Sequence, residues 1–215
     1  MKKIVYLLSA ITLCIASLQV QAQGFEGVVE MEMIYGDLPP EMQAYKSMLP
    51  KETKTLIKGK KARVEKPGAM GMETVVIIDR DKEMSYFLID AMGQKMYVTQ
   101  AIDDGNEEEN QDVDVEYFDE EKTIAGYKCK RAEVTDGDET IEIWYTTEIS
   151  SDASPEFSVL KGFPMQYTIE AEGMEITVRA KRVEKKKLDK SLFVVPAEYE
   201  EVSEEDLGGM MGGGF

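Results

Sequence analysis

The chain has no histidine among its 215 residues. That absence removes the commonest general base, the Ser–His and Cys–His nucleophile pairs, and most zinc and iron sites. Glycine-rich phosphate loops are missing too, because the glycines of residues 208–214 follow no strand and precede no helix. Basic residues are scarce: 25 Lys and Arg stand against 42 Asp and Glu, for a net charge of −17. Nucleic acid and anionic membrane surfaces both need a basic patch, so neither is expected as a partner. No apolar run reaches the roughly 20 residues of a membrane-spanning helix. Carboxylate pairs are plentiful, but in so acidic a chain they carry little information. Neither enzymatic activity nor a cofactor is expected.

What is present begins with an export signal. Lys2 and Lys3 precede an apolar run over residues 4–18, and Val20, Gln21 and Ala22 form a small-residue cleavage site. Residues 1–22 are therefore read as a signal peptide, 23–203 as one β-rich domain, and 204–215 as a disordered Gly- and Met-rich tail. The expected location is outside the cytoplasm, in the periplasm or secreted. Cys14 is a poor lipid-attachment site because Leu13, rather than a small residue, precedes it. Removal of the signal leaves Cys129 alone, with no intramolecular disulfide to make. It is read as a half-buried strand residue near Trp144; a reactive thiol is the sharper alternative.

Period-2 patterning dominates the rest. Phe25, Gly27, Val29, Met31, Met33 and Tyr35 alternate with Glu26, Glu30 and Glu32. Met42, Tyr45, Met48 and Leu49 recur at helical spacing between Pro40 and Pro50, predicting a short helix laid across one face of the sheet. A hairpin over residues 53–66, turning at Gly59 and Lys60, carries enough lysine to suggest an edge position. Residues 75–78 (VVII) and 86–89 (YFLI) are apolar on both sides and need cover on both sides, which predicts a curved sheet. Residues 103–114 (DDGNEEENQDVD) read as a solvated loop whose spacing does not fit a calcium-binding EF-hand. Residues 122–149 read as a hairpin about Asp136-Gly137. A two-residue loop there would set Arg131 opposite Glu142 and Cys129 opposite Trp144. The alternative register faces Glu133 with Glu142 and is disfavoured by like charge. A further hairpin places Phe163, Met165, Tyr167, Ile169 and Ala171 on the face of Met174, Ile176, Val178 and Ala180. Residues 193–196 close the sheet or dock on its edge. The count is about ten antiparallel strands with one or two short helices: mainly β, of the α+β kind.

Residues 124–132 (IAGYKCKRA), 144–149 (WYTTEI) and 160–165 (LKGFPM) resemble the signatures of the GLPGLI family. The wider pattern, over residues 25–200, more closely resembles a sister family of exported Bacteroidetes-type proteins of unknown function. That resemblance implies an antiparallel half-barrel with short helices on its concave face, related to the periplasmic lipoprotein carriers (LolA/LolB-like). It implies no catalytic residues.

Two ligand classes fit these features. A lipid or other apolar ligand would lie in a concave sheet lined by Met31, Met33, Val75, Ile77, Tyr86, Leu88, Met165, Tyr167 and Ile176, the flexible thioethers adapting to its shape. The same residues would otherwise simply fill the curve as core. Copper(I) held by thioethers is the second, with Met70 and Met72 or Met210 and Met211 as donors; no metal site is assigned. A third reading is a protein-interaction module of the envelope, using the basic run of residues 179–190 or the acidic loop.

Overall fold

The computed structural model describes residues 24–67, 72–91, 93–102, 113–171 and 173–210. Its first meander runs β1 (Glu26–Tyr35), β2 (Glu52–Lys58), β3 (Lys61–Pro67), β4 (Glu73–Asp79), β5 (Met84–Ala91) and β6 (Gln94–Ala101). A second runs β7 (Val113–Ile124), β8 (Tyr127–Asp136), β9 (Glu139–Thr146), β10 (Phe163–Ala171) and β11 (Met174–Lys185). The meanders join where β11 pairs with β1, and a short β12 (Glu200–Glu201) lies parallel to β6. Among the described residues this makes one open twelve-stranded sheet in the order β12-β6-β5-β4-β3-β2-β1-β11-β10-β9-β8-β7. All pairings but the last-formed β12–β6 are antiparallel. The expected mainly-β class holds.

The sheet is strongly curved. In a flat sheet β3 and β10, four spacings apart, would be about 19 Å from each other. Yet Glu156 pairs with Lys66 of β3 at 3.1 Å while its neighbour Phe157 packs its ring 4.7 Å from that of Tyr167 on β10. Two short 3₁₀ helices, Ser151–Ala153 and Pro155–Phe157, therefore sit inside the concavity. Ala153, Phe157 and Leu160 are buried there.

Both sides of the two-sided runs are covered, as expected, but with the opposite parity to the expected lining. Ile78 and Val76 point inward to the main core with Val29, Met31 and Met165, whereas Val75, Ile77 and Leu88 point outward. The outer face is covered by a C-terminal strap. Leu188 and Phe193 pack on Val28 and Leu56, and Val195 and Tyr199 pack on the Val75–Ile77–Leu88 cluster. The strap is anchored where the Glu26 carboxylate accepts from Lys58 Nζ and, at 2.7 Å, from the Leu188 N–H. Those donors, Lys58 first, hold Glu26 below the usual carboxylate range.

Five expectations need correction. The hairpin β2–β3 is interior, between β1 and β4, because its lysines are matched by carboxylates: Lys58 by Glu26, Lys61 by Asp79 and Lys66 by Glu156. The segment around Met42 forms a 3₁₀ helix, Pro40–Tyr45, that buries none of its residues, and Tyr45 is 54% exposed. The concave face it was expected to cover is occupied by residues 151–160. In the β8–β9 hairpin the realised register faces Glu133 with Glu142 and Arg131 with Trp144. Arg131 relieves the like charge, its guanidinium meeting Glu133 at 2.6 Å and Glu142 at 3.5 Å. Phe193 docks on the outer face of the sheet rather than its edge; the edge is taken by β12. Finally, order continues past residue 203. Helix α1 (Glu204–Met210) is capped by Ser203, whose hydroxyl accepts from the Asp206 N–H at 3.1 Å. Leu207, 4% exposed, packs on Ile89 and Val98 around the rim of the sheet. The expected signal peptide, the acidic run at 103–112, Met70 and Met211 lie outside the described residues.

Candidate functional site: the concave groove

One groove opens on the concave face between the 3₁₀ segment and strands β1–β4. Its floor and walls are Met31 and Met33 of β1, Thr53 and Thr55 of β2, Val64 of β3, Val76 of β4, Phe163, Pro164 and Tyr167 of β10, and Val178 of β11. Ala153, Ser154 and Glu156 form the opposite wall, and the Lys66–Glu156 ion pair bridges the rim. The cavity holds about 140 Å³. Sites for whole small molecules run from roughly 300 Å³ upward, so this groove has room only for something the size of a chain end or one branched apolar group. Burial, with the Glu156 carboxylate adding to it, pushes the Tyr167 phenol above its ordinary range, so its hydroxyl stays neutral.

The nine nominated lining residues do not converge. Met31, Met33 and Tyr167 line the groove; Met165 and Ile176 belong to the core beneath it. Val75, Ile77, Leu88 and Tyr86 face the opposite way, under Val195 and Tyr199 of the strap. A strand apolar on both sides does not say which parity faces inward, and the inward set is Val76 rather than Val75 and Ile77. Val64, Val76, Phe163 and Val178 were missed. Phe163 and Val178 carry a signal, their alternation with Met165 and Tyr167 and with Ile176.

Elsewhere the charged side chains are largely engaged with one another. Lys122 sits 4.0 Å over the Trp144 ring and donates to Gln166 at 3.1 Å, and burial holds its ammonium below the usual lysine range. In the basic run, Arg179 pairs with Glu32, Lys181 with Glu52, and Arg182 and Lys186 with Glu184. Four of the seven cations of that run are thus paired with carboxylates. Cys129 is fully buried beside this region and its thiol is pushed up to about 11, mainly by burial. No cluster of three or more metal-ligating carboxylates or thiols occurs among the described residues. Of the copper candidates, Met72 is described and is partly exposed next to the end of β4.

A family model described as "N-glycanase peptide, N-terminal domain" matches residues 39–206. The chain belongs to this family. Its fold is shared with PNGF-II, whose structure overlays with a TM-score of 0.57 at 17% identity, covering 87% of this chain and 33% of that one. The chain thus spans about a third of PNGF-II's length. Looser overlays are with MucB in complex with MucA(peri), TM-score 0.43 at 11% identity over 82% and 55% of the two chains. LprF from Mycobacterium bovis overlays at TM-score 0.31 and 12% identity, over 75% and 86%. No curated protein matches. Among the described residues no helix is long and apolar enough to cross a membrane.

Proposed function

We propose that this member of the N-glycanase N-terminal domain family is a non-catalytic, exported binding module whose concave groove seats the end of an acyl chain. The observation that carries the reading is the groove itself: an apolar trough walled by Met31, Met33, Val64, Val76 and Val178 that stays open, while the apolar clusters on the outer face of β1–β6 are roofed by the strap. Two thioethers on its floor let it adjust to chains of different shape. A non-catalytic role is supported by the lack of histidine and by the groove's one lining carboxylate, Glu156, being committed to Lys66 at the rim. Export is supported by the charged-then-apolar start of the chain.

The test is native mass spectrometry of residues 23–215 prepared from the periplasm without detergent, joined to uptake of a dansyl-labelled fatty acid. An adduct that disappears on organic extraction, and dansyl uptake abolished by Val178→Phe, would support the reading. A bare polypeptide mass with no dansyl uptake would end it. The modest volume favours one other reading, in which a partner protein inserts a single apolar side chain.

A further inference from the structure

The sheet ends on two margins. At the β6 end β12 pairs with Met96 and Tyr97 and Leu207 packs at the rim, whereas among the described residues β7 at the other end pairs with β8 alone. Over residues 113–117 the β7–β8 register is unbroken; the irregularity comes later, between Tyr117 and Glu121. These five residues contain no lysine or proline; the charges that guard this edge against a new neighbour are the carboxylates of Asp114 and Glu116, which a basic strand would neutralise. Val113, Val115 and Tyr117 pack on the inner cluster of Ala132, Val134, Ile143, Phe157 and Leu160, leaving an apolar shelf at the rim. Asp114 and Glu116 are exposed on the other face.

Charge says what would complete this edge. The register lines up Glu116 opposite Glu133, and Glu133 opposite Glu142. Like charges directly opposite are destabilising. Arg131 serves Glu133, Glu142 and Glu120. Glu116 and Asp114 have no ion-pair partner among the described residues, so the ladder ends at the margin on an unmatched carboxylate. We propose that residues 113–117 accept, as an added strand, an extended segment of another protein that alternates basic and apolar residues. Its basic side chains would face Asp114 and Glu116, and its apolar ones would extend the shelf of Val113, Val115 and Tyr117. A second copy of this chain fits badly, since antiparallel self-pairing about Val115 sets Glu116 against Asp114. The inference concerns a surface separate from the groove and does not depend on what the groove binds.

The probe is a seven-residue Lys-Val alternating peptide with blocked ends, added to the whole chain. Two further versions carry N-methyl groups, one on every valine amide and one on every lysine amide. A strand pairs through one margin only, so one N-methyl version should bind like the parent and the other at least about tenfold more weakly. Amide exchange at residues 113–117 should slow in the complex. Glu116→Lys, on an exposed side chain, should weaken the parent peptide about as much and admit its Glu-Val counterpart. Equal binding of both N-methyl versions would mean adsorption by charge alone and would overturn the proposal. Unchanged exchange at residues 113–117, failure of the parent peptide to bind, or self-association through this edge would do the same.

Discussion

Replacing Phe193 with alanine tests whether the C-terminal strap is part of the core or an ornament on it. The ring is 2% exposed and packs on Val28, Leu56 and Leu188. Loss of transfer free energy for such a side chain is about 1.5–3 kcal/mol. The residual cavity usually brings a buried Phe→Ala change to about 3–5 kcal/mol. The strap can relieve part of that by lifting, but lifting also breaks the Leu188 N–H to Glu26 bond at 2.7 Å and the Lys58 Nζ to Leu188 carbonyl bond at 2.9 Å. It would bare Val28 and Leu56 to water as well. The expected loss is therefore about 3 kcal/mol of global stability. Urea unfolding followed by Trp144 fluorescence reads it cleanly, because Trp144 on β9 is remote from the strap in the strand order. If the urea midpoint moves by the equivalent of less than about 1 kcal/mol while only the strap's amides lose exchange protection, the strap is a detachable element and the reasoning fails.

Two other perturbations probe the second meander. With its thiol pushed up to about 11, Cys129 should hold about a hundredfold less thiolate at pH 8 than an exposed thiol of pKa 9.0. Ellman's reagent should then label it only in denaturant, and labelling of the native chain at a comparable rate would contradict the burial. The same shift has a sign for stability. The folded thiol stays neutral while the unfolded one ionises, so this contribution is complete below about pH 9 and is lost between there and about pH 11. Gly162→Ala is a steric test, since a Cβ there would lie 2.1 Å from the Thr146 carbonyl oxygen and 3.1 Å from the Thr147 Cα, all backbone. We expect a loss of about 1–3 kcal/mol in urea unfolding and a displaced Phe163 at the groove wall. A change within about 0.5 kcal/mol would show that the β9–β10 junction has slack.

Period-2 alternation made most strands legible, and the doubled apolar runs at 75–78 and 86–89 announced cover on both faces. What could not be read was which segment supplies each cover. Met42, Tyr45 and Met48 have the right spacing for a covering helix, but Pro40 and Pro50 confine it to a short turn that cannot reach past residues 151–160. Helix α1 escapes the sequence reading for a local reason. The glycines from 208 onward suggested disorder, although Ser203 followed by Glu204, Glu205 and Asp206 is a helix start with a cap and an acidic first turn. The hairpin register was misjudged because only the Glu133–Glu142 pair was weighed. Arg131, two residues from Glu133 and so on the same face, reaches both carboxylates and reverses the penalty. The site suffered from the same ambiguity as the cover: parity in a two-sided strand depends on the register of its neighbours, which local composition does not encode.

The two covering segments also define which apolar surfaces of the sheet stay open. The strap roofs the outer face over β1–β6, and residues 151–160 roof the inner face over β8–β10. On the outer face of the second meander, Arg131 stacks on Phe118 and Lys122 on Trp144, each tied to acceptors, so that surface is polar and needs no roof. Around the β6 rim, Leu207 caps Ile89 and Val98. Among the described residues, two apolar surfaces built from several side chains of the sheet are left without full cover, the inner face of β1–β4 and the shelf along β7. These differ in kind. The first is concave and lined by flexible thioethers, suited to a chain end of loose shape; the second is a linear margin with its own backbone groups and a charge pattern, suited to a strand of defined sequence. A module that offered only the groove would have little reason to leave Glu116 at the end of an unneutralised ladder. The two sites together fit a domain that holds an apolar group on one surface while it is itself held by a partner through the other.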